Sequence, residues 1–183
     1  NFVVSLLNDL FGIQSRGGCS CAGPYGHRLL HIDAEHSRAF AAEITHGREG
    51  IKPGWTRISF NYFISETVFR YLVEAVNLVA THGWKLLPDY HFDPATGLWR
   101  HRRGRPEPPL RLSLLHYAAD GSLQYPREHT LASEESLADH IAEARALFAD
   151  VQAEPSCDVH PPGVAEEFEQ LRWFDLPAES MAD

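Results

Sequence analysis

The amino-acid sequence predicts a mixed helix-and-sheet fold, between α/β and α+β, on three observations. Apolar residues recur at helical spacing in several stretches, residues 55–63 alternate apolar with polar, and the chain beyond Leu87 breaks into short strand-like pieces divided by turn signals. The 183 residues suffice for one ordinary domain or two small ones. With 44% hydrophobic and 22% charged residues the composition is that of a globular chain able to bury a core.

Val3, Leu6, Leu7, Leu10 and Phe11 follow helical spacing, and Gly12 stands where a left-handed cap would end a helix over 3–11. Residues 13–15 then read as a short extended segment. The glycines at 17, 18, 23 and 26 predict a loop over 16–27 with tight turns or close backbone approach. A weaker helix is expected over 34–44 and a polar loop over 45–54, ending in Lys52-Pro53-Gly54. In the strand expected over 55–63, Ile58, Phe60 and Tyr62 form a packing face, while Arg57, Ser59 and Asn61 form a polar one. Ser65 can cap a helix whose stripe is Val68, Tyr71, Leu72, Ala75, Val76 and Val79, closed by Gly83. Asp93-Pro94-Ala95-Thr96-Gly97 and Asp120-Gly121 mark turns of an antiparallel meander. After Ser133 a long helix carries Leu137, Ile141, Ala144, Leu147 and Phe148 on one stripe and would cover that sheet. Beyond the Pro-rich residues 155–163, a short helix leads into Leu171-Arg172-Trp173-Phe174, expected to dock back.

Sixteen Lys and Arg against 25 Asp and Glu give a net charge of -9, which repels phosphate backbones and argues against general nucleic-acid binding. No apolar run approaches the length of a membrane span, so no membrane partner is expected and the chain reads as cytoplasmic. Cys19, Cys21 and Cys157 are too few and too irregularly spaced for a disulfide framework, leaving free thiols. The apolar pattern starts at Phe2 with no polar lead-in, and the reading is that the chain begins inside a larger protein.

Two features could carry chemistry. The glycine-rich loop offers Arg16 as a fork for a carboxylate or phosphate and two thiols whose pKa a loop leading into a helix can lower. Its plainer reading is turns plus small buried cysteines. Arg57, flanked by Trp55 and Ser59, could orient a substrate carboxylate or simply make a surface ion pair.

Phe11-Gly12-Ile13-Gln14-Ser15-Arg16-Gly17-Gly18-Cys19-Ser20-Cys21-Ala22 resembles the helix, Gly-Ile, Arg-x-Gly-x-x-Cys-Ala pattern of the pyridoxal-phosphate-dependent class V aminotransferases of fold-type I. That superfamily includes cysteine desulfurases and selenocysteine lyases. Trp55-Thr56-Arg57-Ile58-Ser59-Phe60-Asn61-Tyr62 is similar to the family's Arg-containing strand before its last helix. The resemblance covers residues 1–87 and implies the C-terminal subdomain of such an enzyme, with residues 88–183 an appended antiparallel meander and helices.

It further implies transamination of an amino acid or desulfuration of cysteine or selenocysteine, with pyridoxal 5'-phosphate as cofactor and a homodimer as the complete form. Arg16 and Arg57 fall where arginines meet the substrate carboxylate, and Cys21 falls where desulfurases keep the sulfur-accepting thiol. The Gly23-Pro24-Tyr25-Gly26-His27 continuation departs from the usual desulfurase pattern, and Cys19 adds a second thiol. Only Lys52 and Lys85 are lysines, and neither follows the family's Schiff-base context, so the isolated chain is expected to be inactive and the cofactor bound mainly by a missing large domain. Two alternatives belong to other classes: a thiol and histidine metal or redox module built on Cys19, Cys21, His27, His31 and His36, and a non-catalytic interaction domain over 88–183.

Overall fold

A computed structural model describes residues 1–18, 23–104, 111–125, 132–151 and 165–177. It is an α+β arrangement in which helices predominate and the sheet is confined to two antiparallel ribbons. Helix α1 (Phe2–Phe11) buries Leu6, Leu7 and Phe11, and Gly12 ends it in the left-handed region at φ 64°, which a glycine adopts without a Cβ penalty. The Gly12 N–H donates to the Asn8 carbonyl and the Ile13 N–H to the Leu7 carbonyl, both at 3.0 Å. These bonds satisfy acceptors that the helix end would otherwise orphan.

The expected loop over 16–27 is shorter than its glycines suggest, because α2 (Gly23–Leu29) begins within it. Pro24 sits in the first turn, where no intrahelical N–H is needed, and so starts the helix rather than breaking it. Helix α3 (Ala34–Thr45) is capped by the Asp33 carboxylate, which accepts from the Glu35 and His36 N–H groups at 2.9 and 2.8 Å. The His36 N–H bond, followed by the bond with the His36 ring, holds the Asp33 pKa below its ordinary value. The polar loop expected over 45–54 contains a 3₁₀ turn (Glu49–Ile51) that buries Ile51 completely.

The strand expected over 55–63 does not form. The only β-bridge in this stretch is at Arg57, and of the expected packing face Phe60 and Tyr62 are exposed while Ile58 packs against the core. Alternation supplies a strand's side-chain pattern, but without a partner along its length the backbone turns away at residues 62–63. Helix α4 (Glu66–His82) follows as expected: Ser65 Oγ accepts from the Val68 N–H at 3.1 Å, and Tyr71, Ala75 and Val79 are buried. Gly83 does not close it with a left-handed cap; the chain continues as a 3₁₀ turn (Gly83–Asp89).

Strands β1 (Tyr90–Asp93) and β2 (Leu98–His101) pair antiparallel in the register Tyr90 to His101 through Asp93 to Leu98, around the expected turn. Asp93 fixes that turn by accepting from the Ala95 N–H and the Thr96 hydroxyl at 2.9 and 2.6 Å. Strands β3 (His116–Tyr117) and β4 (Leu123–Gln124) form a second, separate ribbon around Asp120-Gly121, so the expected meander is two hairpins rather than one sheet.

Helix α5 (Leu137–Asp150) buries Ile141, Ala144 and Phe148 and packs on α4 and α1 rather than over a sheet. The first hairpin is covered instead by α6 (Glu166–Leu171) and the segment after it: Phe168 and Phe174 both meet the Phe92 ring. Phe174 also meets Trp99, so this C-terminal segment docks as its apolar residues predict. Leu6, Ile51 and Val79 share one core with Phe92, Trp99, Phe148 and Phe168, so residues on both sides of Leu87 contribute to it. Among the described residues no helix is long and apolar enough to cross a membrane.

Candidate functional site

Once α1 stops at Gly12, the chain runs extended to Arg16, which pairs antiparallel with Arg57 just ahead of α4. The Arg16 N–H donates to the Arg57 carbonyl at 3.2 Å and the Arg57 N–H to the Arg16 carbonyl at 2.8 Å. A pair that exchanges both bonds places its Cα atoms about 5.5 Å apart with side chains on one face. The two arginines singled out in the sequence are therefore direct neighbours.

Both residues are exposed, and among the described residues neither guanidinium has an ion-pair or hydrogen-bond partner. Other basic side chains behave differently: Arg48 pairs with the buried Glu43, Arg70 with Glu66, Arg145 with Glu74 and Arg172 with Glu169. Like charges directly opposite each other across a ladder are destabilising. An anion seated between them would reverse that sign, and a planar carboxylate matches the fork of each guanidinium.

Glycines hold the two segments together. A Cβ on Gly54 would lie 2.4 Å from the carbonyl carbon and oxygen of Gly18, so the backbones touch there, and the Trp55 N–H reaches the Gly18 carbonyl at 3.4 Å. Gly18 itself has φ 80°. A Cβ on Gly26 would stand 3.3 Å from the Trp55 ring, and Tyr25 meets that ring edge-on at 6.2 Å. Helix α2 thus rests on Trp55, two residues before Arg57. Cys21, the candidate thiol, lies outside the described residues, as does Cys19; its flanks Gly18 and Gly23 do not.

Ser59 and Asn61, expected beside Arg57 on a polar strand face, are exposed, but the single-residue pairing does not extend to them. The Asn61 carbonyl instead accepts from Ile64 in the turn before α4. The two lysines are engaged elsewhere: Lys52 bonds to Glu49, and Lys85 Nζ donates to the Phe148 carbonyl at 2.8 Å. His36 Nδ1 lies 2.9 Å from its own cap, Asp33, and among the described residues no three His, Cys, Asp or Glu side chains gather as a metal site.

Two clefts flank the arginine pair: neither includes Arg16 or Arg57 in its wall, but the first is lined by their neighbours Gly17 and Thr56 and the second by Ser15. One, of about 600 Å³, is rich in tryptophan; the other, of about 870 Å³, is bordered by Asp9, Asp89, Tyr90 and His101. In the second, the buried Tyr90 hydroxyl donates to Asp9 at 2.9 Å. Burial first, then that bond and the nearby Asp9 and Asp89 charges, push the phenol well above its ordinary pKa. Sequence reasoning missed this pair and the Gly18–Gly54 contact, because each joins segments that carry no mutual signal along the chain. Comparison of the chain with protein-family models, curated proteins and solved structures finds no match.

Proposed function

We propose that the chain is the C-terminal portion of a pyridoxal-phosphate-dependent, class V aminotransferase-like enzyme, in which Arg16 and Arg57 together hold the carboxylate of an amino-acid substrate. The observation that carries this reading is the pairing, on opposite sides of one bridge, of two exposed arginines that have no ion-pair partner among the described residues. That juxtaposition has an electrostatic cost to the fold and a clear use once a carboxylate is bound. The class V resemblance, a fold-type I assignment, a homodimer and a cytoplasmic location belong to the same proposal.

On this reading neither lysine of the chain links the cofactor. Lys52 is paired with Glu49, and Lys85 donates to the Phe148 carbonyl. The cofactor belongs, on this reading, to a large domain outside the chain. When bound it would act as the electron sink for bonds at the substrate α-carbon. The chain's own part is positional: two guanidiniums fix the carboxylate plane, and the Gly18–Gly54 contact fixes their spacing. In a desulfurase branch Cys21, as thiolate, would receive the substrate sulfur or selenium; a transaminase branch asks no chemistry of it.

The test combines this chain and the full-length protein. With pyridoxal phosphate and borohydride the chain alone should show no stoichiometric adduct at Lys52 or Lys85, while the full-length protein should change its cofactor absorbance when amino acids are added. A stoichiometric adduct at either lysine, or a full-length protein indifferent to amino acids, would overturn the proposal.

A further inference from the structure

All four tryptophans of the chain line the 600 Å³ cleft, although they come from four segments far apart in sequence. That volume is within the ordinary range for a small-molecule site. Trp99 is buried in its floor, whereas Trp84 and Trp173 stand at its rim with half their surface in water, at 50% and 52% exposure. The Trp173 ring is not free to fold away: its Nε1 donates to the Ile51 carbonyl at 3.4 Å, and it meets Phe174 edge-on at 5.6 Å. Half-solvated indoles, one of them held in place, are apolar surface available to a ligand.

The charges at the cleft decide what kind of ligand. Lys52 is its only Lys or Arg, and it is tied to Glu49. Asp175 lines the same wall and, among the described residues, has no ion-pair partner. An anion therefore finds no unpaired cationic side chain, while a cation finds indole faces and a carboxylate. Tryptophan is the strongest of the aromatic residues in attracting a cation to its ring face.

We propose that this cleft binds a small organic cation with an aromatic or apolar body, its charge set against the indoles and Asp175. The cleft adjoins the arginine pair through Gly17 and Thr56 but is lined by neither guanidinium, and the proposal does not depend on the amino-acid reading.

Because every tryptophan lines the cleft, the intrinsic fluorescence of the whole chain reports on it. Benzyltrimethylammonium, benzyl alcohol and benzenesulfonate would each be titrated at neutral pH. The expected result is a saturable emission change with the cation, at a Kd about tenfold below those of the neutral and anionic probes. Asp175→Asn, at an exposed position, should weaken the cation about fivefold or more, leave the neutral probe unchanged and preserve the far-ultraviolet circular dichroism. No saturable change with the cation, equal Kd values for the three probes, or an Asp175→Asn chain that still prefers the cation as strongly would each overturn the proposal.

Discussion

Replacing Gly54 by Ala places a methyl 2.4 Å from the carbonyl carbon and oxygen of Gly18 and 2.8 Å from its Cα. Ordinary contact begins at 3.4 Å, so the two backbones must part by about 1 Å, and no flexible side chain can swing aside to absorb it. The same two segments exchange the hydrogen bonds of the Arg16–Arg57 bridge. Overpacking costs about 1–3 kcal/mol, and the upper half of that range is expected where backbone has to move. For a chain of this length that corresponds to a fall in Tm of about 4–12 °C, readable by thermal or urea unfolding. If the bridge orients substrate, a 1 Å displacement also lowers kcat/KM about 100-fold in the full-length enzyme. Gly23→Ala is the control: nothing lies within 4 Å of its Cβ, and its stability should stay within about 0.5 kcal/mol of the parent. A Gly54→Ala chain as stable as the parent would refute the close contact and the clamp built on it.

Three further changes probe the frame around the site. Tyr71→Phe removes the hydroxyl that donates to the Phe11 carbonyl at 2.7 Å in the core, and leaving that acceptor unsatisfied should lower stability by about 1–3 kcal/mol in urea titration. Ser65→Ala removes the cap of α4 and the bond from Ser65 Oγ to Glu134 at 2.7 Å, with an expected loss of about 1 kcal/mol and earlier hydrogen exchange at Val68. Tyr90 keeps its proton longer when folded than when unfolded, since burial and then Asp9 raise its pKa. Its contribution is therefore complete below about pH 10 and is lost as pH rises above that value. Tyr90→Phe should flatten the alkaline fall in stability; an unchanged slope would remove Tyr90 from that account.

Local signals in the sequence were sufficient wherever one segment specifies its own conformation. Helix α1 with its Gly12 cap, the Ser65 cap of α4 and the turns at Asp93–Gly97 and Asp120–Gly121 need only neighbours a few residues away. Residues 55–63 show where that logic stops. Their alternation is real, but a strand exists only with a partner, and Arg16 supplies one residue of pairing. Gly23 and Gly26 marked a loop because glycine punctuates structure; in the fold Pro24 starts a helix, and Gly26 is small because Trp55 lies on it. Arg16 and Arg57 were individually legible, and the resemblance gave them one target, yet no spacing rule says that they face each other. The tryptophan cleft was invisible for the same reason, since its walls come from four separate stretches.

The most direct measurement of the central claim compares an amino acid with the corresponding amine lacking the carboxylate, in the full-length protein and its Arg57→Ala variant. If Arg57 and its neighbour Arg16 hold the carboxylate, Arg57→Ala lowers kcat/KM for the amino acid about 10- to 1000-fold and changes that for the amine by no more than about threefold. Arg57→Lys should recover little, because a point charge does not reproduce the planar fork. Equal losses for the two substrates, or no loss for the amino acid, would contradict the account and leave the arginine pair without a role in recognising the carboxylate.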